Sequence, residues 1–175
     1  MKRLAVLVGA TIATAVLPIH AGASSATMVR GGGAGTFGTD LDGDGDIDGS
    51  RFGLGVAILG GGSAGGHFLC LMAGDSDILG LPVMSVSGRV TQGTLGAGGS
   101  ATFGGTATVN LGNGVAYRGV PFRVEVTAGG PGSGTIQLTV IGAFDGVPGD
   151  TVSGNGNYDL PVETVSRGQI AIAAS

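Results

Sequence analysis

The chain is 175 residues long, with 39 Gly, 42 % hydrophobic and 11 % charged residues, and a formal net charge of −4 at pH 7. Gly at about three times its usual ~7 % excludes a helical bundle, because each helix-interior Gly costs roughly 1 kcal/mol relative to Ala. Gly does not recur at every third position, which excludes collagen, and so apolar a chain with so few charges is not a disordered one; a turn-dense all-β protein remains.

Lys2 and Arg3 precede the apolar stretch Leu4–Leu17, and the small residues Ala21-Gly22-Ala23 follow Pro18. The stretch is short for a membrane span. This pattern predicts a secretory signal peptide over 1–23, cut after Ala23, with an uncleaved anchor as the alternative. The expected product is secreted or extracytoplasmic, in a periplasm or at a cell surface, with no membrane span after cleavage. Its single domain, 24–175, keeps six arginines, no lysine and one histidine, His67, against all twelve acids, a formal charge of −6. Nothing offers a basic surface for phosphates, so nucleic acid is excluded as a partner. Cys70 is the single cysteine, so no internal disulfide forms.

The next distinct element is Asp40-Leu41-Asp42-Gly43-Asp44-Gly45-Asp46-Ile47-Asp48-Gly49-Ser50-Arg51, with five carboxylates in nine residues. Such a run repels itself without a cation, and Ca2+ is a hard ion that takes about six to eight oxygens. Acids at positions 1, 3, 5 and 9 with Gly at 6 can wrap it, and Asp40, Asp42, Asp44, Asp48 and Gly45 occupy those places. The Asp46 carbonyl falls at position 7, and Ile47 at position 8 is expected to tuck inward. Over about twelve residues the run resembles the calcium loops of EF-hand, dockerin and thrombospondin-type-repeat proteins. It departs at position 12, where Arg51 replaces the bidentate Glu, and its flanks are strand-like. A helix–loop–helix sensor is thereby excluded, and the expected affinity is weak, about 10⁻⁴–10⁻³ M. Ca2+ bound through Asp40, Asp42, Asp44, Asp46 and Asp48 is the expectation. The alternative is a solvated acidic turn that keeps a Gly-rich β protein soluble.

From Arg51 onward, apolar residues alternate with polar or small ones, the period of strands with one buried face. In chain order the inward sets are Phe52, Leu54, Val56 and Ile58; Phe68, Cys70 and Met72; Met84, Val86 and Val90; then Phe103, Ala107, Val109 and Leu111. Val120, Phe122, Val124 and Val126 follow, then Ile136, Leu138 and Val140 with Thr135, Gln137 and Thr139 facing out, and finally Ile170 and Ile172. Gly112-Asn113-Gly114 predicts a tight hairpin. The Gly-rich turn 129–134 leads into the next strand, so 101–141 forms a three-strand antiparallel meander, with loops at 145–150 and 154–157. Gly53, Gly55, Gly104 and Gly105 inside strands predict bulges or close backbone approach. Six to nine strands with one apolar face need a cover, so the expected fold is an antiparallel β-sandwich, with a small β-barrel as the alternative.

Catalytic constellations are poorly supplied. His67 and Cys70, three apart on a strand, point to opposite faces and cannot act as base and nucleophile. One histidine excludes zinc sites that need two or three. Asp75 and Asp77 lie in Gly74-Asp75-Ser76-Asp77, which reads as a turn before it reads as a glycosidase carboxylate pair.

Five segments occur in an order similar to that of post-COAP-like domains of exported bacterial proteins: Gly35-Thr36-Phe37-Gly38, Ala64-Gly65-Gly66-His67-Phe68, Gly105-Thr106-Ala107-Thr108-Val109-Asn110, Val120-Pro121-Phe122-Arg123-Val124-Glu125-Val126 and Arg167-Gly168-Gln169-Ile170-Ala171-Ile172. The resemblance spans most of 28–173. It implies an all-β extracytoplasmic module without catalytic residues, in which Asp40–Asp48 is an insertion in the first hairpin. The acid that members carry in the turn at Gly129-Gly130-Pro131-Gly132 is missing here, so no site is carried over to that turn. The functional expectation is a secreted, non-enzymatic β-sandwich with weak Ca2+ binding. The alternative is a cell-surface adhesion or assembly module, self-associating by edge-to-edge strand pairing.

Overall fold

The seven alternating runs all fall in strands, and two further strands, Thr27–Thr36 and Tyr158–Asp159, join them among the described residues. The computed structural model describes residues 25–41, 43, 45, 47–78 and 81–175. Its strands are β1 (Thr27–Thr36), β2 (Gly49–Ile58), β3 (Ser63–Ile78), β4 (Leu81–Leu95), β5 (Ser100–Asn110), β6 (Ala116–Thr127), β7 (Thr135–Val140), β8 (Tyr158–Asp159) and β9 (Glu163–Ala174). The expected signal peptide, 1–23, lies outside the described residues.

Strands β1 to β7 follow one another as antiparallel neighbours, and the meander expected over 101–141 is β5–β6–β7. β9 returns to pair along β1 and also meets β7 through Thr135↔Thr164 and Ile136↔Glu163. Eight strands, β1–β7 and β9, therefore close a barrel, and β8 pairs beside β7 at Thr139 and Val140. The expected β-sandwich is corrected to the barrel: the apolar face is covered by the sheet curling onto itself, not by a second sheet. Register shifts that skip Thr91, Gly119 and Ser166 supply local bends, which is how a twisted sheet turns far enough to close.

An eight-stranded barrel is just wide enough for side chains to fill it. The inward sets expected from the alternation are buried, with Val120 and Ile172 at the rim of the core only partly so. At its centre the Phe68 ring stacks on Phe122 with centroids 5.8 Å apart and meets Phe103 edge-on at 6.1 Å. Thr139 departs from its expected outward position: it is buried and donates a 2.7 Å hydrogen bond to Oδ1 of Asp159, its ladder partner on β8. Arg30, Arg51, Arg89 and Arg123 point outward and are exposed, the reverse of the apolar exterior of a transmembrane barrel. Among the described residues no helix is long and apolar enough to cross a membrane.

The strand glycines divide into two kinds. At Gly105 a Cβ would lie 2.0 Å from the Arg89 carbonyl oxygen, and at Gly104 2.5 Å from that of Phe122, so both mark the close approach expected of them. Gly53 and Gly55 face open space and correct that expectation.

Candidate functional site

The acidic run is the tip of the β1–β2 hairpin. The last ladder pair is Thr36↔Gly49, and the Phe37 N–H donates to the Asp48 carbonyl at 2.8 Å just beyond it. Asp40 organises the outgoing half: its carboxylate accepts the Gly43 N–H at 2.6 Å and the Gly45 N–H at 2.9 Å. Gly45 turns at φ 95°, in the left-handed region that glycine reaches without strain. Asp48 organises the returning half: its Oδ2 accepts the Leu41 N–H, and Leu41 packs against the core. The two acids at the ends of the motif are thus drawn onto the same backbone segment.

Asp48 is fully buried, and its Oδ1 has no hydrogen-bond partner. A buried carboxylate oxygen left without a donor or cation is costly, on the order of several kcal/mol for an unpaired charge. Asp42, Asp44 and Asp46, the remaining expected ligands, lie outside the described residues. Among the described residues no group of three or more His, Cys, Asp or Glu side chains is arranged to hold a metal ion. Ile47 is 71 % exposed, which corrects the expectation that it tucks inward. Arg51, at the place of the twelfth ligand, is exposed on the outer face of β2, whereas its neighbour Ser50 is buried.

Directly inside the barrel from this hairpin sits a polar group that the alternation did not flag. Ser50 Oγ lies 2.9 and 2.8 Å from the two carboxylate oxygens of Glu163 on β9. Burial pushes the Glu163 carboxyl up to about 7, against the pull of the hydrogen bonds from the Ser50 hydroxyl and N–H. Cys70 joins the group through Ser50; burial first and the Glu163 charge second push its thiol up to about 12. The signal was available in the parity of the strands: Ser50 is two residues from inward Phe52, and Glu163 two from inward Val165.

A second acidic cluster caps the other loop region. Asp145 accepts the N–H groups of Gly154 and Gly156, and Asp150 those of Gly146, Val152 and Asp159. Desolvation works against the Asp150 charge, yet these donors and Asp145 hold its carboxyl below the usual range. Tyr158 is buried below this loop and donates to the Pro148 carbonyl at 3.1 Å. These acids spend their oxygens on tying one long loop together.

The catalytic candidates fall apart as expected for His67, exposed outside, and Cys70, buried inside. Asp75 and Asp77 lie within β3 and not in the expected turn, and their side chains fall outside the described residues. No protein-family model, curated protein or solved structure matches the chain.

Proposed function

We propose that the chain is an exported, non-enzymatic β-barrel module whose first hairpin binds one Ca2+ through Asp40, Asp42, Asp44, Asp46 and Asp48. The observation that carries this reading is Asp48 Oδ1, a fully buried carboxylate oxygen without a donor, in a hairpin with four further Asp. A bound cation removes the charge repulsion and satisfies that oxygen together. The hydrogen bonds that Asp40 accepts from Gly43 and Gly45 do not exclude ligation, since a carboxylate has about four lone-pair sites. With Arg51 in place of the bidentate Glu, affinity sits near 10⁻⁴–10⁻³ M, a range that extracellular Ca2+ fills. The signal-like first segment and the resemblance to post-COAP-like domains support export.

Titration calorimetry on the processed chain tests the site. Heat of binding with Ca2+, lost in Asp48→Asn, is the expected result; no heat and no change in thermal midpoint at Ca2+ about tenfold above the weak end of that range ends the reading. Mass spectrometry of the exported chain tests the cut after Ala23.

A further inference from the structure

Charge is sorted around this barrel. Strands β1, β2 and β4 contain no Asp or Glu, and the one acid of β9, Glu163, is buried inside. Outward positions of these four strands carry Arg30, Arg51, Arg89 and Arg167, all exposed, and exposed His67 on β3 is the ladder partner of Arg89. Arg51 and Arg167 flank Ala34 from β2 and β9, two strand spacings or about 10 Å apart. Arg30 stands four residues from Ala34 along β1, about 13 Å away, between Gly55 and Ala171. Among the described residues the single ion pair is Arg123–Glu125, on β6, so these four guanidinium groups have no acidic partner there. Their outward neighbours bring no charge: Leu71 lies beside Arg51, and Gly32 and Gln169 lie between the rows of Arg30 and Ala34.

Between these arginines the surface is concave. Gly33, Ala34, Arg51, Ser166 and Arg167 line an open hollow of about 630 Å³. A second hollow, of about 420 Å³, adjoins it along β1 and β9, with Met28, Arg30 and Gln169 on its walls. The two meet where Gly32-Gly33 runs beside Arg167-Gly168. No side chain fits at Gly33 or Gly168, since a Cβ would collide with the Arg167 or the Gly32 carbonyl, so bare backbone joins the hollows into one trough. From this acid-free, arginine-lined trough we infer that the protein binds an acidic polysaccharide, a chain of uronic-acid sugars lying along β1 and β9. Guanidinium forks take carboxylates through two parallel hydrogen bonds, and the spacing from Arg51 and Arg167 to Arg30 strings the cations along a chain instead of gathering them round one small anion. The Ser166 hydroxyl donates to the Ala34 carbonyl at 3.2 Å and keeps its lone pairs for a sugar hydroxyl, as does the Gln169 amide its donors. A single-stranded nucleic acid finds no aromatic side chain on β1 or β9 for its bases. A bilayer is planar and meets a trough only at its rim. The described acids of the hairpin do not oppose the chain: Asp40 is engaged with Gly43 and Gly45, Asp48 is buried, and neither lines a hollow. The choice of a polysaccharide rests on the export reading, which the mass of the exported chain tests separately.

Fluorescence anisotropy of a labelled oligogalacturonate with the purified, processed chain tests the trough, in chelator so that Ca2+ bridges neither component. The expected result is saturable binding at about 0.01 M salt that is lost at about 1 M, where screening shortens charge interactions from about 30 to about 3 Å. Arg30→Glu with Arg167→Glu should weaken binding by about tenfold or more, the effect of reversing two charge-assisted contacts. Arg118→Glu with Arg123→Glu makes the same change of net charge on β6 and should leave binding within about twofold. All four positions are exposed, so both double variants should keep the far-ultraviolet circular dichroism of strands. No saturable binding by wild type at low salt, or an equal loss in the two double variants, overturns the inference. So does displacement of the label by oligodeoxythymidylate at a lower concentration than by unlabelled oligogalacturonate, which gives the trough to nucleic acid. Capture of the chain by phosphatidylglycerol vesicles through Arg30 and Arg167, without uronate binding, overturns it in favour of a lipid surface.

Discussion

Ser50 on β2 and Glu163 on β9 touch across the strand that separates them. β1 lies between β2 and β9, and the contact passes over Gly35, where a Cβ would sit 2.5 Å from Glu163 Oε2. The missing side chain on β1 lets two inward polar groups 113 residues apart meet inside an otherwise apolar barrel. Glu163 also forms one of the two ladder pairs, with Ile136, that join β9 to β7. The buried charge therefore sits at the narrowest seam of the closure.

This arrangement makes stability depend on pH. Burial raises the Glu163 carboxyl from 4.5 to about 7 in the folded protein. Between those values the folded state binds more protons than the unfolded one, so the contribution of this group to stability falls as pH rises through that window. At about 1.4 kcal/mol per unit, the loss is about 2–3 kcal/mol between pH 4.5 and pH 8. Urea denaturation across that range should show the decline in wild type and a nearly flat profile in Glu163→Gln. An equally steep decline in the variant assigns the effect elsewhere.

Two glycines that look alike in sequence should respond oppositely to Ala. At Gly88 a Cβ falls 2.5 Å from ring atoms of Phe122, the ring that stacks on Phe68. Gly88→Ala should destabilise by about 1–3 kcal/mol, the usual range for overpacking. Gly53 has nothing within 4 Å of a Cβ, so Gly53→Ala should be neutral or stabilise by up to about 1 kcal/mol through the unfolded chain. Thermal midpoints of the two variants decide this, and equal shifts contradict the assignment of Gly88 to the interior.

Cys70 should be inert. Its burial and the nearby Glu163 charge push the thiol up to about 12, and the thiolate is the reactive form. An aromatic disulfide reagent at mildly alkaline pH should label the native protein only as fast as it opens, and one equivalent at once in denaturant. Fast native labelling contradicts the buried position.

Asp48→Asn should have opposite signs with and without metal. In chelator it removes a fully buried charge whose Oδ1 has no partner, so stability should be unchanged or higher. Ca2+ at about tenfold over its dissociation constant should add about 1.4 kcal/mol to wild type and nothing to the variant. A calcium-dependent rise in the thermal midpoint of Asp48→Asn places the ion away from this residue.

Strand positions and inward faces were legible because alternation is local: Phe52 and Leu54, or Ile136 and Leu138, declare their side of a strand within a few residues. The place of Asp40–Asp48 in the first hairpin came from the resemblance to post-COAP-like domains and not from local alternation. The inward Ser50 and Glu163 obeyed the same parity, but polar residues on an apolar face are passed over when apolar residues alone are counted. Thr139 broke its pattern because Asp159, twenty residues later, folds back to cover it.

By itself, then, the amino-acid sequence determined that this protein is built from strands, which side of most of them is apolar, and where its acidic charge is concentrated. Whether the sheet meets a partner or itself was decided by tertiary structure alone, because period two is identical in a sandwich and a barrel. That choice rests on β9 reaching back to β1 and β7, pairings between opposite ends of the chain that no local window contains. The same closure brings Glu163 to Ser50 and sets Arg51 and Arg167 on either side of Ala34.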